Sequence, residues 1–206
     1  LEAAVADLVL SGGMVAVAGT DKGLSFAEIA ALPDATPDML AARNEFVPPD
    51  ATYPNGTHVA EVEVDPETGV AKVVRYTIVD DFGMTVNPLL LAGQVHGGIM
   101  QGIGQALLER TVYDKQGQLL TASLMDYAMP RADDAPFFNF STRNVPSTTN
   151  PLGIKGAGEA GSIGSSPAVM NALVDALHRS HGISHIDMPA TPERIWQALA
   201  SAQTKM

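Results

Sequence analysis

The chain has 206 residues, of which 46% are hydrophobic and 17% charged, and its formal net charge at pH 7 is -11. This length suits one domain or two small ones, and the acidic balance disfavours nucleic acid and anionic membrane surfaces as partners. The sequence has no cysteine, which excludes disulfides, thiolate metal sites and iron–sulfur ligation by its own residues.

The first 49 residues read as a partial segment followed by a linker. Weak alternation of apolar residues predicts a hairpin, the capping-box pattern of Ser25 and Glu28 predicts a short helix, and a stretch rich in Pro, Asp and Asn predicts a loop. The predicted hairpin covers residues 5–18, the predicted helix residues 25–32 and the predicted loop residues 33–54. The chain opens on Leu1 as if partway through an element, so we expect a piece of a longer protein.

Residues 50–206 carry the clearest secondary-structure signals. Two alternating runs, 58–64 and 70–79, flank a short connection with Pro and Gly and predict a β-hairpin. Further along, the sequence predicts a long helix, a short hairpin, an irregular stretch and two closing helices, at 89–110, 113–120, 129–166, 167–180 and 191–202. Separate hairpins and helices indicate an α+β fold with antiparallel hairpins and packed helices. No apolar run reaches transmembrane length, so we predict no membrane span and a cytoplasmic protein.

The predicted long helix contains a glycine-rich segment, residues 93–107, which reads Gly-Gln-Val-His-Gly-Gly-Ile-Met-Gln-Gly-Ile-Gly-Gln-Ala-Leu. Each glycine inside a helix costs about 1 kcal/mol relative to alanine, so some interaction must compensate. Gln94 and Gln101 are two helical turns apart with Gly97 and Gly98 between them, which predicts a groove with an amide at each end. Such amides suit the heteroatom edge of a flat ring, although close packing against another helix is the simpler explanation for this segment alone.

A second glycine-rich segment covers residues 153–164 and reads Gly-Ile-Lys-Gly-Ala-Gly-Glu-Ala-Gly-Ser-Ile-Gly. Its five glycines disfavour a helix or strand interior, so we predict a loop that displays its one carboxylate, Glu159. The loop leads into a helix with serine at its cap and Pro167 in its first turn, and a helix N-terminus favours anions. The ordinary alternative is that Glu159 is a solvated loop residue.

Backbone and side-chain groups near Glu159 suggest further contacts. Lys155 lies four residues earlier, where it would favour the ionised carboxylate, meet a phosphate, or be a surface ammonium. The backbone amides of Gly156, Ala157, Gly158 and Ala160 have the spacing of an anion-binding nest.

The remaining titratable residues carry no specific signal. Burial between helices is the simplest explanation for His96, and the helix dipole explains His178 and His181 at a helix C-terminus. The Asp-Phe-Gly triplet within residues 80–83 has no accompanying kinase motif. We therefore assign no metal ligands to the chain.

Both glycine-rich segments, with Asn-Pro-Leu-Gly at 150–153 and the following Pro-Ala-Val-Met-Asn-Ala, resemble the molybdenum-binding large subunit of the xanthine oxidase family. Within this family, the segments look most like those of the bacterial aldehyde and aerobic carbon monoxide dehydrogenases. The resemblance runs from about residue 50 to 200 and implies a C-terminal molybdopterin-binding region at 50–206. It implies that Gln101 and nearby backbone contact the pterin, with Gln94 as a second candidate.

The same resemblance implies a chemistry and a set of partners. The expected reaction is hydroxylation or oxidation of a small substrate, an aldehyde, carbon monoxide or an N-heterocycle, with water as the oxygen source and Glu159 as general base. The expected cofactor is molybdopterin, in the cytosine dinucleotide form typical of bacterial relatives, whose own groups hold the molybdenum. The expected partners are the rest of the subunit, an iron–sulfur subunit and a flavin subunit with FAD.

Two other functions stay open at this point. The chain would be a non-catalytic assembly domain, for instance a homodimer, if its glycine-rich segments were degenerate. A phosphate-binding domain is disfavoured, because neither a P-loop nor a Rossmann spacing occurs. On the leading hypothesis the upstream part of the cofactor site lies outside this chain, so we expect weak cofactor binding and no turnover by the chain alone.

Overall fold

The computed structural model describes residues 1–203, leaving aside the side chains at positions 39 and 40. The chain divides into two compact units, with the boundary between Val47 and Pro48, compared with the predicted boundary between residues 49 and 50. Among the described residues, no helix combines the length and apolar character needed to cross a membrane.

The first unit is a three-stranded antiparallel sheet with a short helix. Its elements are β1 (Leu8–Ser11), β2 (Met14–Val17), β3 (Gly23–Ser25) and α1 (Phe26–Ala30). Gly12 and Gly13 join β1 to β2 with φ values of 57° and 78°, the backbone that a tight two-residue hairpin turn requires. The capping box is present, because Ser25 Oγ accepts a hydrogen bond from Glu28 N–H and Glu28 Oε2 accepts one from Ser25 N–H. The hairpin is confirmed from Leu8 onwards, whereas Val5–Asp7 form a short 3-10 helix, and the predicted α-helix is confirmed. Strand β3 is additional.

Over its described residues, the second unit packs a mixed three-stranded sheet with three α-helices and one 3-10 helix, Ala132–Asp134. Its elements are β4 (Asn55–Val64), β5 (Ala71–Asp81), α2 (Pro88–Leu107), β6 (Phe137–Thr142), α3 (Ala160–His181) and α4 (Pro192–Gln203). Strands β4 and β5 form the predicted antiparallel hairpin, and β6 pairs with β5 in parallel. The predicted α+β class is confirmed, with small sheets beside packed helices.

The predicted irregular stretch at 129–166 is wrong in two places. It contains β6, which the sequence did not reveal because its parallel partner is distant in the chain and no hairpin turn marks it. It also contains the first turns of α3, so that Pro167 lies inside the helix rather than at its start. The short hairpin predicted at 113–120 is reduced to a single bridge between Tyr113 and Leu119.

The core of the second unit lies between β5 and the inner faces of the three helices. Tyr76 and Ile78 on β5 are fully buried, as are Ile99 on α2, Leu173 on α3 and Ile195 on α4. Burying an aliphatic or aromatic side chain of this size contributes about 1.5–3 kcal/mol to folding. This packing holds α2 and α3 against the sheet, and the two glycine-rich segments meet at their contact.

Candidate active site

The contact between α2 and α3 is made by glycine backbone. A Cβ added at Gly98 would lie 3.0 Å from the amide nitrogen of Ser162, and a Cβ added at Gly161 would lie 2.3 Å from the carbonyl oxygen of Val95. Only glycine allows so close an approach, and this tertiary contact outweighs the low helix propensity of Gly161. Gly98, which the sequence placed in the cofactor groove, therefore faces α3.

Another face of α2 is open. Gly93, Gly97, Gln101 and Gln105 recur at intervals of four residues and are all exposed. A Cβ added at Gly93 or Gly97 would meet no atom within 4 Å. Gly97, Gln101, Gln105 and Ser162 are among the residues that line a surface cavity of about 680 Å³. Flat ring systems can approach bare helix backbone here, with an amide side chain beside it.

The Gln94 side chain contacts the segment before α3 and does not line the cavity beside Gln101. Its Nε2 donates a hydrogen bond of 2.7 Å to the carbonyl oxygen of Gly158. Gln94 therefore ties α2 to the segment before α3, whereas Gln101 lines the open cavity. The structure does not bring these two amides together at the ends of one groove.

Glu159 is the residue immediately before α3. It occupies the N-cap position with φ -116° and ψ -1°, and its carboxylate makes no capping hydrogen bond. The exposed side chain lines a cavity of about 450 Å³, whose other walls include Gly158, Gly164, His58 and Asp80. Gly156 and Gly158 leave the approach to the carboxylate open, whereas Gly161 and Gly164 lie against Val95 and His58. Glu159 also starts a helix instead of lying within the predicted loop.

Lys155 forms a buried ion pair. Its Nζ lies 2.6 Å from Asp81 Oδ2, and the two side chains are 11% and 10% exposed. Asp81 Oδ1 accepts hydrogen bonds of 2.9 Å from the N–H groups of Gly83 and Val145. Burial acts to raise the pKa of Asp81, but the hydrogen bond from Lys155, the two backbone hydrogen bonds and the Lys155 charge outweigh it and lower that pKa to about 2.

His58 and Asp80 are cavity residues to which the sequence assigned no role. His58 Nε2 lies 3.4 Å from Asp80 Oδ1, and its Nδ1 lies 3.0 Å from the hydroxyl of Tyr76. Burial, and secondly the Asp80 charge, raise the pKa of Tyr76, so its hydroxyl stays protonated. The strands predicted from sequence, 58–64 and 70–79, stop short of the pair formed by Gly56 and Asp80, so the sequence did not mark this wall of the cavity.

The predicted backbone nest is partly occupied by contacts within the chain. The N–H of Gly156 donates a 3.3 Å hydrogen bond to Thr52 Oγ1, and Ala157 packs against the core. Within the described residues, no three or more His, Asp or Glu side chains are arranged to hold a metal ion.

Sequence comparison identifies the family of the chain. Residues 1–136 match the family described as "Molybdopterin cofactor-binding domain". The chain belongs to this family. It is 39% identical over 160 residues to the carbon monoxide dehydrogenase large chain of Hydrogenophaga pseudoflava, covering 78% of this chain and 20% of that protein. It is 38% identical to the 6-hydroxypseudooxynicotine dehydrogenase complex subunit gamma of Paenarthrobacter nicotinovorans, covering 95% and 25%.

Structural comparison agrees with the sequence matches. The fold superposes on quinoline 2-oxidoreductase from Pseudomonas putida 86 with a TM-score of 0.81 and 39% identity, over 97% of this chain and 26% of that one. The chain therefore spans about a fifth to a quarter of the length of such relatives. The predicted resemblance to the C-terminal part of the molybdenum-binding large subunit of the xanthine oxidase family is confirmed.

The exposed residues around Gln101 and Glu159 fit a flat, hydrogen-bonding cofactor. Cβ atoms added at Gly97, Gly156 and Gly158 would meet nothing within 4 Å, so the backbone there is open to close approach. Gln101 offers a donor and an acceptor, and Glu159 offers an acceptor. Such a surface suits a cofactor that holds its metal through its own ligands.

Proposed function

We propose that this chain is the part of a molybdopterin-dependent hydroxylase or dehydrogenase large subunit that supplies the general base, Glu159. The observation that carries the proposal is the exposed carboxylate at the start of α3, which has no capping hydrogen bond and lines a cavity beside open glycine backbone. When bound, the cofactor supplies a molybdenum centre that activates an oxygen nucleophile derived from water and accepts two electrons.

In this proposal the residues of the chain divide into two roles. The Glu159 carboxylate accepts the proton of the attacking oxygen, which is general-base catalysis. The Gln101 amide and the bare backbone at Gly97 bind and orient the edge of the pterin ring. Gln101 lies on α2 and Glu159 immediately precedes α3, so the close glycine contact between these helices limits how far the two groups can move apart.

The wider assembly is also part of the proposal. The rest of the large subunit would complete the cofactor site, and an iron–sulfur subunit and a flavin subunit with FAD would carry the electrons away. We propose the cytosine dinucleotide form of the cofactor, a small substrate oxidised with oxygen from water, and a cytoplasmic location. Support comes from relatives named for carbon monoxide, 6-hydroxypseudooxynicotine and quinoline.

The decisive experiment compares Glu159→Gln with the parent in the full-length subunit, assembled with its partners. We expect unchanged molybdenum and pterin content, and a loss of at least about 100-fold in kcat/KM with carbon monoxide, quinoline or an aldehyde as substrate. Glu63→Gln, an exposed carboxylate on β4, is the matched control and should retain full activity. A Glu159→Gln enzyme as fast as the control would show that Glu159 is not the base.

A second measurement addresses the chain by itself. We propose that the isolated chain binds the cofactor weakly and does not turn over, since it is about a quarter of the relatives' length. Elemental analysis and fluorescence of the released pterin measure both components. Stoichiometric molybdenum in the isolated chain would overturn this proposal, and its absence from the full assembly as well would favour an assembly domain.

A further inference from the structure

We propose that Lys155 and Gln94 are positioning residues that anchor the segment 155–158 at its two ends and thereby place the carboxylate of Glu159. This inference rests on the proposed function, because it concerns the placement of the proposed base. It assigns to Lys155 and Gln94 a role through the backbone, in place of the direct cofactor contacts suggested by the sequence.

The first anchor is the ion pair of Lys155 with Asp81. The Lys155 Nζ meets Asp81 Oδ2 at 2.6 Å, and the Lys155 N–H donates a 2.9 Å hydrogen bond to the carbonyl of Phe82. The adjacent residues Gly83 and Ile154 form an isolated β-bridge. Both the side chain and the backbone at position 155 are therefore fastened to the end of β5.

The second anchor is the hydrogen bond from Gln94 Nε2 to the Gly158 carbonyl, at 2.7 Å. Gln94 lies one residue before Val95, whose carbonyl faces Gly161 at the close contact of α2 with α3. Gln94 is itself exposed, but the residue next to it takes part in the close contact with α3. The Gln94 amide fixes the carbonyl of the residue that directly precedes Glu159.

Between the two anchors the segment has few contacts of its own. Gly156 and Gly158 lack side chains, and the N–H of Gly156 makes only an exposed 3.3 Å hydrogen bond to Thr52. Ala157 packs partly against the core. Two glycines in three residues leave the backbone free to take many conformations, so its position depends on the anchors at positions 155 and 158.

The side chain of Lys155 has little capacity left for a cofactor contact. It is 11% exposed and already paired with a carboxylate whose other oxygen accepts two backbone hydrogen bonds. Drawing Lys155 away would leave Asp81 buried without its counter-charge, which is strongly unfavourable. Its effect on the reaction is therefore expected through the position of the loop.

The test uses the full-length subunit with its partners and cofactor. Lys155→Met removes the charge at nearly the same length, Gln94→Leu removes the donor, and Lys155→Arg keeps a cationic donor for Asp81. We expect Lys155→Met and Gln94→Leu to retain molybdenum and pterin, to lower kcat by about 10- to 100-fold, and to displace the pH profile of kcat/KM, because a small misplacement of a catalytic group is costly. Lys155→Arg should restore most of the activity.

Two further readouts separate this inference from the proposed function. Amide hydrogen exchange at residues 156–160 should increase in Lys155→Met and Gln94→Leu, whichever residue is the base. In a Glu159→Gln background, Lys155→Met should cause no additional loss of kcat, because residues that act through one group are not additive. If amide exchange at residues 156–160 were unchanged in Lys155→Met and Gln94→Leu, or if their main effect were a loss of bound cofactor, the positioning role would be wrong. Full activity of Glu159→Gln with faster exchange in the other variants would contradict the base assignment alone.

Discussion

Lys155 and Asp81 are 74 positions apart in the sequence and form a 2.6 Å ion pair that is about nine-tenths buried. A buried ion pair is stable only when its remaining polar atoms are also satisfied. Here the second oxygen of Asp81 accepts hydrogen bonds from the backbone of Gly83 and Val145. The pair therefore joins three separate segments: the end of β5, the residues after β6 and the segment before Glu159.

Asp81 is expected to make stability depend on pH under acidic conditions. Its pKa in the folded chain is about 2, against an ordinary value of 3.8. Because the folded pKa is the lower one, the ionised carboxylate stabilises the fold above about pH 4, and this contribution is lost as the pH falls from about 4 towards 2. In Asp81→Asn the free energy of unfolding should be lower at pH 7 and should vary less across that interval.

Urea unfolding of the isolated chain between pH 2 and pH 7 measures this difference. Glu63→Gln, which removes an exposed carboxylate on β4, is the control and should follow the parent closely. An Asp81→Asn chain whose stability falls as steeply as that of the parent below pH 4 would contradict the assignment.

The parts of the fold that were predictable from sequence have local signals. The β4–β5 hairpin shows alternation on both sides of a short turn, and Ser25 with Glu28 marks the start of α1. By contrast, β6 pairs with a distant strand, and α3 begins among glycines whose helical conformation depends on contacts with α2. Local propensity contains no information about β5 as the partner of β6, or about α2 as the partner of α3.

The same distinction applies to the candidate site. The types and spacing of Gly97, Gln101 and Glu159 indicated exposed groups beside open backbone, and the structure has them on the surface. Lys155 and Gln94 have partners 74 and 64 positions away, so their hydrogen bonds were not readable from nearby residues. Sequence spacing predicts neighbours along one element better than contacts between elements.

Two glycines of α2 should respond in opposite directions to alanine substitution. A Cβ at Gly102 would lie 1.7 Å from Ser165 Oγ, whereas a Cβ at Gly93 would meet no atom within 4 Å. Gly102→Ala should destabilise the chain by about 1–3 kcal/mol through overpacking. Gly93→Ala should stabilise it by up to about 1 kcal/mol through higher helix propensity. Denaturant unfolding measures both, and changes of the same sign would contradict the packing described for α2 and α3.

Gly97 and Gly93 form a second matched pair, which tests the cofactor surface. Both are exposed and open, but only Gly97 lines the cavity with Gln101. Both alanine variants should be at least as stable as the parent. In the full-length subunit, Gly97→Ala should lower the bound pterin and molybdenum several-fold, because a methyl group would separate the ring from the backbone. Equal cofactor content in the two variants would contradict the placement of the pterin at Gly97.

His96 should make stability depend on pH closer to neutrality. Its ring stacks on Phe138 with centroids 4.7 Å apart and meets Phe140 edge-on at 6.0 Å, so it is packed between α2 and β6 rather than between helices. Its Nε2 is buried and has no hydrogen-bond partner among the described residues. Burial lowers the pKa of His96 below its ordinary value of 6.5.

The sign of the effect follows from that direction. The unfolded chain binds a proton at His96 at a higher pH than the folded chain does, so stability is complete above about pH 7 and declines as the pH falls through 6.5 towards the folded pKa. His96→Phe keeps the aromatic packing but has no ring nitrogen that can bind a proton. Its free energy of unfolding, relative to that of the parent, should therefore rise as the pH is lowered from 7.5 to 5. His178→Gln, which changes an exposed histidine on α3, is the control and should show no such rise. A constant difference between His96→Phe and the parent across this interval would mean that His96 keeps its ordinary protonation behaviour in the folded chain.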